Sequence, residues 1–420
     1  MEKQKKPALR FKGFQDDWEQ RKLGDIVAIY DGVHQTPSYT DSGVMFLSVE
    51  NIKTMQSNKF ISEESFKRDF KVFPQKGDVL MTRIGDVGTP NIVESDEELA
   101  YYVSLALLKP KMINSFFLCT AIQSSMFQKE LKNRTLLTAI PQKINKDEIG
   151  KVNFLMPVSI KEQEAIGKYY QKLNTLITLH QRKLHILQNL KKAMLEKMFP
   201  KNGAKVPEIR FAGFTDDWEQ RKLGHLALFS KGRGYSKSDL QDSGTPVILY
   251  GRLYTKYETV IKDVDTYVLA QKGSVFSKSG DVIVPASGET AEDISVASVV
   301  RKTGILLGGD LNIIHPNNTV DPTFLALSIT NGQPHNDMAK RAQGKSVVHL
   351  HNEDLAQIDL FYPSIEEQEN ISKFIENLDA ILTLHQREQN IYCSVHFSAF
   401  FIFIQQGAKG HERICERSRF

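Results

Sequence analysis

RFKGFQDDWEQRKLG, the stretch from Arg10 to Gly24, returns 200 residues later as RFAGFTDDWEQRKLG, from Arg210 to Gly224. Both tryptophans of the chain, Trp18 and Trp218, lie inside this repeat. A period of this length is several times that of solenoid repeats, which span about 20 to 50 residues. The repeat therefore predicts two homologous modules in one chain.

A second repeated block lies near the end of each module. Glu162–Glu164 (EQE) is matched by Glu367–Glu369, and Thr178–Arg182 (TLHQR) by Thr383–Arg387, both at an offset of 205 residues. Between the two blocks the modules diverge in sequence. The framework of the modules is therefore duplicated, whereas their interiors are not.

The second block belongs to a segment with a seven-residue apolar repeat. This spacing predicts a coiled-coil seam, with one histidine among the apolar positions of each copy. The seam positions are Ile166, Leu173, His180, Leu187 and Met194 in the first copy, and Ile371, Leu378, His385 and Tyr392 in the second. The residues expected beside the seam are Tyr169, Leu176 and Leu190 in the first copy, and Phe374 and Ile381 in the second. Two such helices are expected to pair antiparallel; the alternative is that each covers only its own module.

The module interiors combine short strands with helices. Val79–Met81 and Val282–Val284, bounded by turn-forming residues, predict strands. Asn114 and Asp321, the latter followed by Pro322, predict helix N-termini.

The expected fold is α+β, with two homologous mixed α/β modules separated by two long helices that pair as an antiparallel coiled coil. The predicted divisions are a first module at 1–157, a first long helix at 158–200, a second module at 201–363, a second long helix at 364–389 and an atypical C-terminal segment at 390–420.

The composition is that of a globular protein without a membrane span. Hydrophobic residues make up 41% and charged residues 25% of the 420 positions, and no run of about 18 apolar residues occurs. The lysines at the N-terminus precede no apolar segment, so no secretory signal is expected. The three cysteines have no metal-ligand spacing. A cytoplasmic location fits best.

Two different modules on a rigid spacer suit duplex DNA, where a spacer of fixed length sets the separation of two half-sites. The net charge of +4 permits a nucleic-acid partner without requiring one. Because the interiors differ, the two half-sites should differ as well. The alternative is a coiled-coil adaptor whose two variable domains bind proteins.

This arrangement resembles the specificity subunit of type I restriction-modification systems over nearly the whole chain, from Arg10 to about Gln389. The elements that carry the resemblance are the Phe-x-Gly-Phe-x-x-x-Trp entry to each module and the Ser-Ile-x-Glu-Gln-Glu entry to each long helix. The resemblance implies that each module reads one half of an asymmetric, interrupted site in double-stranded DNA. It also implies that the helices dock two methyltransferase subunits, and that motor-nuclease subunits join the full complex. S-adenosylmethionine, ATP and magnesium would then be bound by the partner subunits and not by this chain.

The chain departs from the family pattern after Gln389. The first long helix continues through Lys191–Phe199 (KKAMLEKMF), whereas Asn390–Phe420 matches nothing in the first copy. We expect the second helix to be shortened there, with weaker helix pairing or partner docking.

No catalytic residue and no metal site is expected in this chain. Asp321–Phe324 (DPTF) differs by one residue from the Asp-Pro-Pro-Phe motif of amino-methyltransferases, but it suits a helix start better. Gly344–Ser346 (GKS) lacks the earlier glycine of a phosphate loop. The histidines are scattered and form no ligand set.

DNA contacts require polar and cationic side chains on loops that reach the grooves. The segments that fit best are 82–86 and 134–143 in the first module, and 285–289 and 341–349 in the second. The predicted DNA-contacting residues are Thr82, Arg83, Arg134, Gln142 and Lys143 in the first module, and Tyr250, Arg252, Ser287, Arg341, Lys345 and His349 in the second.

Overall fold

A computed structural model describes residue 7 and residues 10–201, 203–344 and 347–404, with side chains through Val395. The chain divides into two compact units. Among the described residues, the first unit comprises those up to 181 together with 388–404, and the second comprises 182–387. Each predicted module therefore lies within one unit, and each long helix contributes to both.

The first module mixes short strands and short helices, as the sequence predicts. Its strands are β1 (Glu19–Lys22), β2 (Val27–Asp31), β3 (Val44–Leu47), β4 (Phe60–Ile61), β5 (Val79–Ile84), β6 (Asp86–Ile92), β7 (Leu99–Tyr101), β8 (Leu105–Pro110) and β9 (Asn153–Met156). Its helices are α1 (Leu23–Ile26), α2 (Glu63–Asp69), α3 (Ser115–Ile122), α4 (Ser125–Arg134) and α5 (Lys146–Gly150), with a 3-10 turn at Val49–Asn51.

The core of the first module lies on both faces of an antiparallel sheet with strand order β2-β8-β5-β6. One apolar cluster joins this sheet to α3 and α4 through residues such as Val79, Phe117 and Phe127. A second cluster joins it to the three-stranded sheet β4-β3-β7 through residues such as Phe46 and Leu80. The alternation of Val79 and Leu80 between the two clusters follows the two-residue period of a strand.

The second module repeats this plan with different lengths. Its strands are β10 (Glu219–Lys222), β11 (Ala227–Lys231), β12 (Thr245–Ile248), β13 (Val260–Ile261), β14 (Tyr267–Val268), β15 (Asp281–Pro285), β16 (Ser287–Gly288), β17 (Ser298–Val300), β18 (Leu306–Leu307), β19 (Leu311–Pro316), β20 (Val348–His349) and β21 (Asp359–Tyr362). Its helices are α7 (Arg252–Thr255), α8 (Pro322–Asn331), α9 (Gln333–Arg341) and α10 (Asn352–Ala356), with 3-10 turns at Leu223–His225 and Lys237–Asp239. The main sheet has the order β11-β19-β15-β17-β13, and a smaller sheet has the order β14-β12-β18.

The predicted helix starts are confirmed. Asn114 is the N-cap of α3 and accepts a hydrogen bond from the backbone N–H of Phe117 at 3.0 Å. Asp321 is the N-cap of α8, accepts from the N–H of Phe324 at 2.8 Å, and is followed by Pro322 in the first turn. The run that resembles a methyltransferase motif is therefore a helix N-terminus.

The repeated Arg-Phe-x-Gly-Phe and Glu-Gln-Glu blocks meet in each unit as a buried ion pair. In the first, Nε and Nη2 of Arg10 donate to the two carboxylate oxygens of Glu162 at 2.8 and 2.6 Å. The indole of Trp18 donates to the same carboxylate at 3.3 Å. In the second, Arg210 donates to Glu367 at 2.9 and 2.7 Å. The carboxylates are only 2% and 1% exposed, so this bidentate contact ties the start of each module to the start of its long helix.

The glutamine of each Glu-Gln-Glu block is also fully buried. Gln163 accepts from the backbone N–H of Asn114 and donates to the carbonyl of Pro157, both at 2.8 Å. Gln368 makes the equivalent contacts with Asp321 at 2.9 Å and Pro363 at 2.8 Å. The two duplicated glutamines therefore help to hold the frame of each module, since each satisfies two backbone groups.

The two long helices are α6 (Ile160–Lys197) and α11 (Ile365–Ile404). In the first unit the His180 ring lies 3.4 Å from the carboxylate of Glu388, and in the second unit Lys191 pairs with Asp379 at 2.5 Å. The two long helices are therefore in contact with each other in each unit.

The predicted seam positions are all at least half-buried. Ile166, Leu173, Ile371 and Leu378 are buried, while Leu187, Met194, His180 and His385 are half-buried. Leu176 and Leu190, which were expected beside the seam, are instead exposed.

The expected shortening of the second helix is wrong. The helix continues to Ile404, 15 residues past Gln389. Residues 390–404 contain neither glycine nor proline, and Tyr392 takes the seam position that corresponds to Leu187, with its ring centroid 5.2 Å from that of His180. The sequence match is lost at this point but the helical pattern is kept. Residues 405–420 of the predicted C-terminal segment lie outside the described part of the chain.

Among the described residues, no helix combines the length and apolar character that a membrane crossing requires.

We expect Glu162→Gln to destabilise the first unit by about 3–5 kcal/mol, because it leaves the buried guanidinium of Arg10 without its counter-charge. Urea unfolding of a Trp218→Phe chain measures this, since Trp18 alone then reports the first unit. Glu164→Gln is the control: its carboxylate is 45% exposed and 3.9 Å from Lys168, so we expect a change below about 0.5 kcal/mol. Equal losses in the two variants would contradict a structural role for the buried pair.

Candidate nucleic-acid interface

The two segments of the first module that the sequence singles out lie side by side in the structure. The backbone N–H of Gly85, in the turn between β5 and β6, donates to the carbonyl of Gln142 at 2.8 Å. The side-chain amide of Gln142 donates back to the carbonyl of Gly85 at 2.9 Å. Backbone hydrogen bonds between Leu136 and Lys143 close the loop at its base. We call residues 137–142 the first loop.

The corresponding segments of the second module are joined in the same way. Ser287 and Gly288 of β16 pair antiparallel with His349 and Val348 of β20. Gln343 and His349 close the loop with backbone hydrogen bonds of 3.1 and 2.8 Å. We call residues 344–348 the second loop, of which Lys345 and Ser346 lie outside the described residues.

The backbone contacts define which positions correspond. Ile144 donates to the carbonyl of Arg83 in the first module, and Leu350 donates to the carbonyl of Ala286 in the second, both at 3.0 Å. Ile144 therefore corresponds to Leu350, and the residues that precede them, Lys143 and His349, correspond to each other. The two loops have equivalent anchors but different lengths and sequences.

Different buried side chains hold the two anchors. In the first module, Nε of Arg83 donates to the carbonyl of Ile144 at 3.1 Å, and its guanidinium also pairs with Asp31. In the second module, Nδ2 of Asn312 donates to the equivalent carbonyl of Leu350 at 2.8 Å. Each side chain satisfies a backbone oxygen at the base of the loop. The loops are thus held from inside the module.

This geometry corrects the assignment of Thr82 and Arg83 to the DNA contact set. Both are buried. The hydroxyl of Thr82 accepts from the backbone N–H of Thr89 at 2.8 Å, and the guanidinium of Arg83 is used by Ile144 and Asp31. They position the loop from beneath and do not face a ligand.

Three further predicted contacts are corrected for similar reasons. Arg134 is half-buried and pairs with Glu130 and Glu148 at 3.5 and 3.4 Å. The Arg252 side chain is 9% exposed and pairs with Glu258 and Asp265, both at 2.7 Å. Hydrogen bonds from Lys256 and then Arg252 lower the pKa of Asp265, which keeps the carboxylate charged. Ser287 is buried beside the second loop.

The remaining predicted residues stay candidates. Gln142, Lys143, Tyr250 and His349 are exposed, and Arg341 is half-buried. Lys345 lies outside the described residues. The structure brings Gln142 and Lys143 together at the first loop, and places His349 at the base of the second.

An aromatic pair adjoins the second loop. The rings of Tyr250 and Tyr254 are arranged edge to face, with centroids 6.0 Å apart. The hydroxyl of Tyr254 donates to the carbonyl of Ser287 at 2.7 Å, and burial raises the pKa of Tyr254, so that the hydroxyl remains protonated. This contact links Tyr250 to β16 and thus to the second loop.

Sequence reasoning missed the apolar side chains of the first loop. Leu137 is 56% exposed and Ile140 is 100% exposed. Large apolar residues beside Pro141, in the short segment between α4 and α5, were the available signal. The lysines around the loop were also passed over. Lys132 and Lys146 are exposed, and within the described residues neither has a carboxylate oxygen within 4.0 Å of its Nζ atom.

Each module thus presents a loop on a fixed base, with exposed polar, cationic and aromatic or apolar groups. Amide and imidazole groups can hydrogen-bond base edges, and lysines can neutralise phosphates. These are the chemical properties of a nucleic-acid interface.

The family comparison matches both modules. A family model described as the type I restriction modification DNA specificity domain matches residues 15–189 and, a second time, residues 215–391. A relative from Methanocaldococcus jannaschii, the type I restriction enzyme MjaVIII specificity subunit, is 20% identical over 391 residues, which cover 89% of each protein.

A solved structure has the same fold. The crystal structure of the type I restriction-modification system S subunit from M. genitalium superposes with a TM-score of 0.62 at 13% identity, over 96% of this chain and 100% of that one. The two family matches include the latter part of the first repeated block, the second repeated block and the divergent interior of each module, and together they span most of the sequence. This chain belongs to the type I restriction-modification DNA specificity family.

Proposed function

We propose that the chain provides the sequence recognition of a type I restriction-modification complex, with each module reading one half of an asymmetric DNA site. The observation that carries this proposal is the pair of loops on equivalent anchors with different sequences. Lys143 and His349 occupy corresponding positions, as do Leu136 and Gln343. Different side chains on the same frame favour different bases at the two half-sites.

The long helices act as the spacer in this proposal. The continuous helix α6 connects the first module to the second along the chain. A helical connection has a fixed rise per residue, so its length would set the number of base pairs between the half-sites.

The helices also carry the surface that we propose for the methyltransferase subunits. Each unit has a set of four exposed apolar side chains, and the two sets are related by the offset of 205 residues. The sets are Leu176, Leu179, Ile391 and Val395 in the first unit, and Ile381, Leu384, Ile186 and Leu190 in the second. Exposed apolar residues three or four apart on a helix, as in each of these sets, are typical of a helix-packing surface. Two equivalent sets favour two copies of the same partner.

The chemistry of such a complex would reside in the partner subunits. We infer that S-adenosylmethionine is bound by the methyltransferase subunits, and ATP and magnesium by the motor-nuclease subunits. Two observations support this inference. In Asp321–Phe324, the run that resembles a methyltransferase motif, Asp321 caps the N-terminus of α8 and Thr323 is fully buried. Since the substrate is DNA, we infer a cytoplasmic site of action.

Lys143→Ala tests the placement of the first loop. We expect the slope of log K against log salt concentration to become shallower by about 1, because one phosphate contact and its released counterion are lost. Titrations of duplex DNA with the assembled complex at several salt concentrations measure this slope. Lys111→Ala is the control, since Lys111 is equally exposed but follows β8 at the opposite end of the sheet. An unchanged slope for Lys143→Ala, or the same change for Lys111→Ala, would refute the placement.

The two apolar sets make a prediction about stoichiometry. Leu179→Glu and Leu384→Glu should each reduce the number of methyltransferase subunits per chain from two to one, and the double variant should bind none, because a charge placed in an apolar contact is desolvated without a partner. Native mass spectrometry of the assembled complex counts the subunits. Asn174→Glu, at an exposed position on another side of α6, should keep two. Retention of two subunits in all variants would exclude these surfaces.

A further inference from the structure

We propose that Leu137 and Ile140 of the first loop read thymine, by contacting its C5-methyl group in the major groove. This inference rests on the proposed function, and it adds which side chains of the first module discriminate between bases and which base they select.

The first loop exposes more apolar surface than an isolated surface leucine. Leu136, Leu137 and Ile140 lie within five residues, and they are 46%, 56% and 100% exposed. Single apolar residues are common on protein surfaces, whereas a contiguous group marks a surface that another molecule covers.

The loop is rigid enough to place these side chains. Its base is closed by the backbone hydrogen bonds between Leu136 and Lys143. Its last residue, Gln142, is fixed to the β5–β6 turn through two hydrogen bonds with Gly85. Arg83 holds the adjoining carbonyl of Ile144 from beneath. A preorganised loop does not lose ordering entropy on binding, which favours discrimination between similar ligands.

DNA is the occupant that the surroundings of the loop favour. Lys132, Lys143 and Lys146 are exposed next to it in sequence, and no carboxylate oxygen lies within 4.0 Å of their Nζ atoms in the described part of the chain. Apolar side chains flanked by unpaired cations match a DNA groove, where the phosphates border the base edges. The C5-methyl of thymine is the apolar group that the major groove displays.

The position of the loop also fits a role in specificity. It occupies the position in the first module that the second loop occupies in the second module. The second loop is one residue shorter and exposes Val347. Because the anchors correspond and the exposed side chains do not, a change at these positions alters what is read without disturbing the frame.

The test uses the chain assembled with its methyltransferase partner and the DNA site enriched from random duplexes. Each thymine of that site is replaced in turn by deoxyuridine, which removes only the methyl group. We expect replacement of at least one thymine, in one half-site only, to weaken binding by about fourfold, the factor for one buried methyl group. Ile140→Ala and Leu137→Ala should weaken binding to the thymine duplex and abolish the sensitivity to that deoxyuridine.

Met112→Ala is the matched control. Met112 is 57% exposed, but it follows β8 at the opposite end of the sheet from the first loop. Its variant should bind like the unmodified chain and keep the full deoxyuridine effect. Ile140 makes a safe probe, because a fully exposed side chain contributes little to folding.

Three results would overturn the inference. The first is a deoxyuridine effect of the same size in the loop variants and in the unmodified chain, because the methyl group would then be read elsewhere. The second is loop variants that bind thymine and deoxyuridine duplexes as the unmodified chain does. The third is an enriched site without an A·T pair in either half. If no site is enriched at all, the proposed function itself fails, which distinguishes the two failures.

Discussion

Two equivalent ion pairs, one in each unit, join the modules to the long helices. Arg10 with Glu162, and Arg210 with Glu367, each bring the start of a module onto the start of a long helix. A buried guanidinium or carboxylate without its partner is costly, so neither residue can change alone. The adjacent glutamines each accept a hydrogen bond from the backbone N–H of an N-cap residue, Asn114 of α3 or Asp321 of α8. These constraints account for the recurrence of the arginine, the glutamate and the glutamine, because each of them completes a buried polar contact.

The two loops, in contrast, differ in length and sequence although their anchors are equivalent. The base of the loop is held by Arg83 in one module and by Asn312 in the other, yet both donate to the equivalent backbone carbonyl. Two chemically different side chains thus hold the same backbone carbonyl position in the two modules. Exposed residues beyond that base contribute little to folding, so they can vary with the DNA sequence to be read.

Much of the frame could be predicted from the sequence, because the repeats mark the buried polar contacts and the seven-residue period marks the seam. The orientation of single polar residues could not. Thr82 and Arg83 stand in a segment that does lie at the candidate interface, but their partners are distant in sequence: Asp31 and Ile144 are 52 and 61 residues away from Arg83. No local pattern reveals such a partner. The end of α11 was misjudged for another reason, since the loss of a sequence match at Gln389 does not imply the loss of helical periodicity.

The central claim is that two modules on one frame read two different sequences. Sequencing of the DNA that the assembled complex retains from a randomised duplex pool tests it most directly. The account predicts enrichment of two different short half-sites at one constant spacing. Enrichment of a single sequence, of a palindrome, or of two half-sites at variable spacing would contradict it.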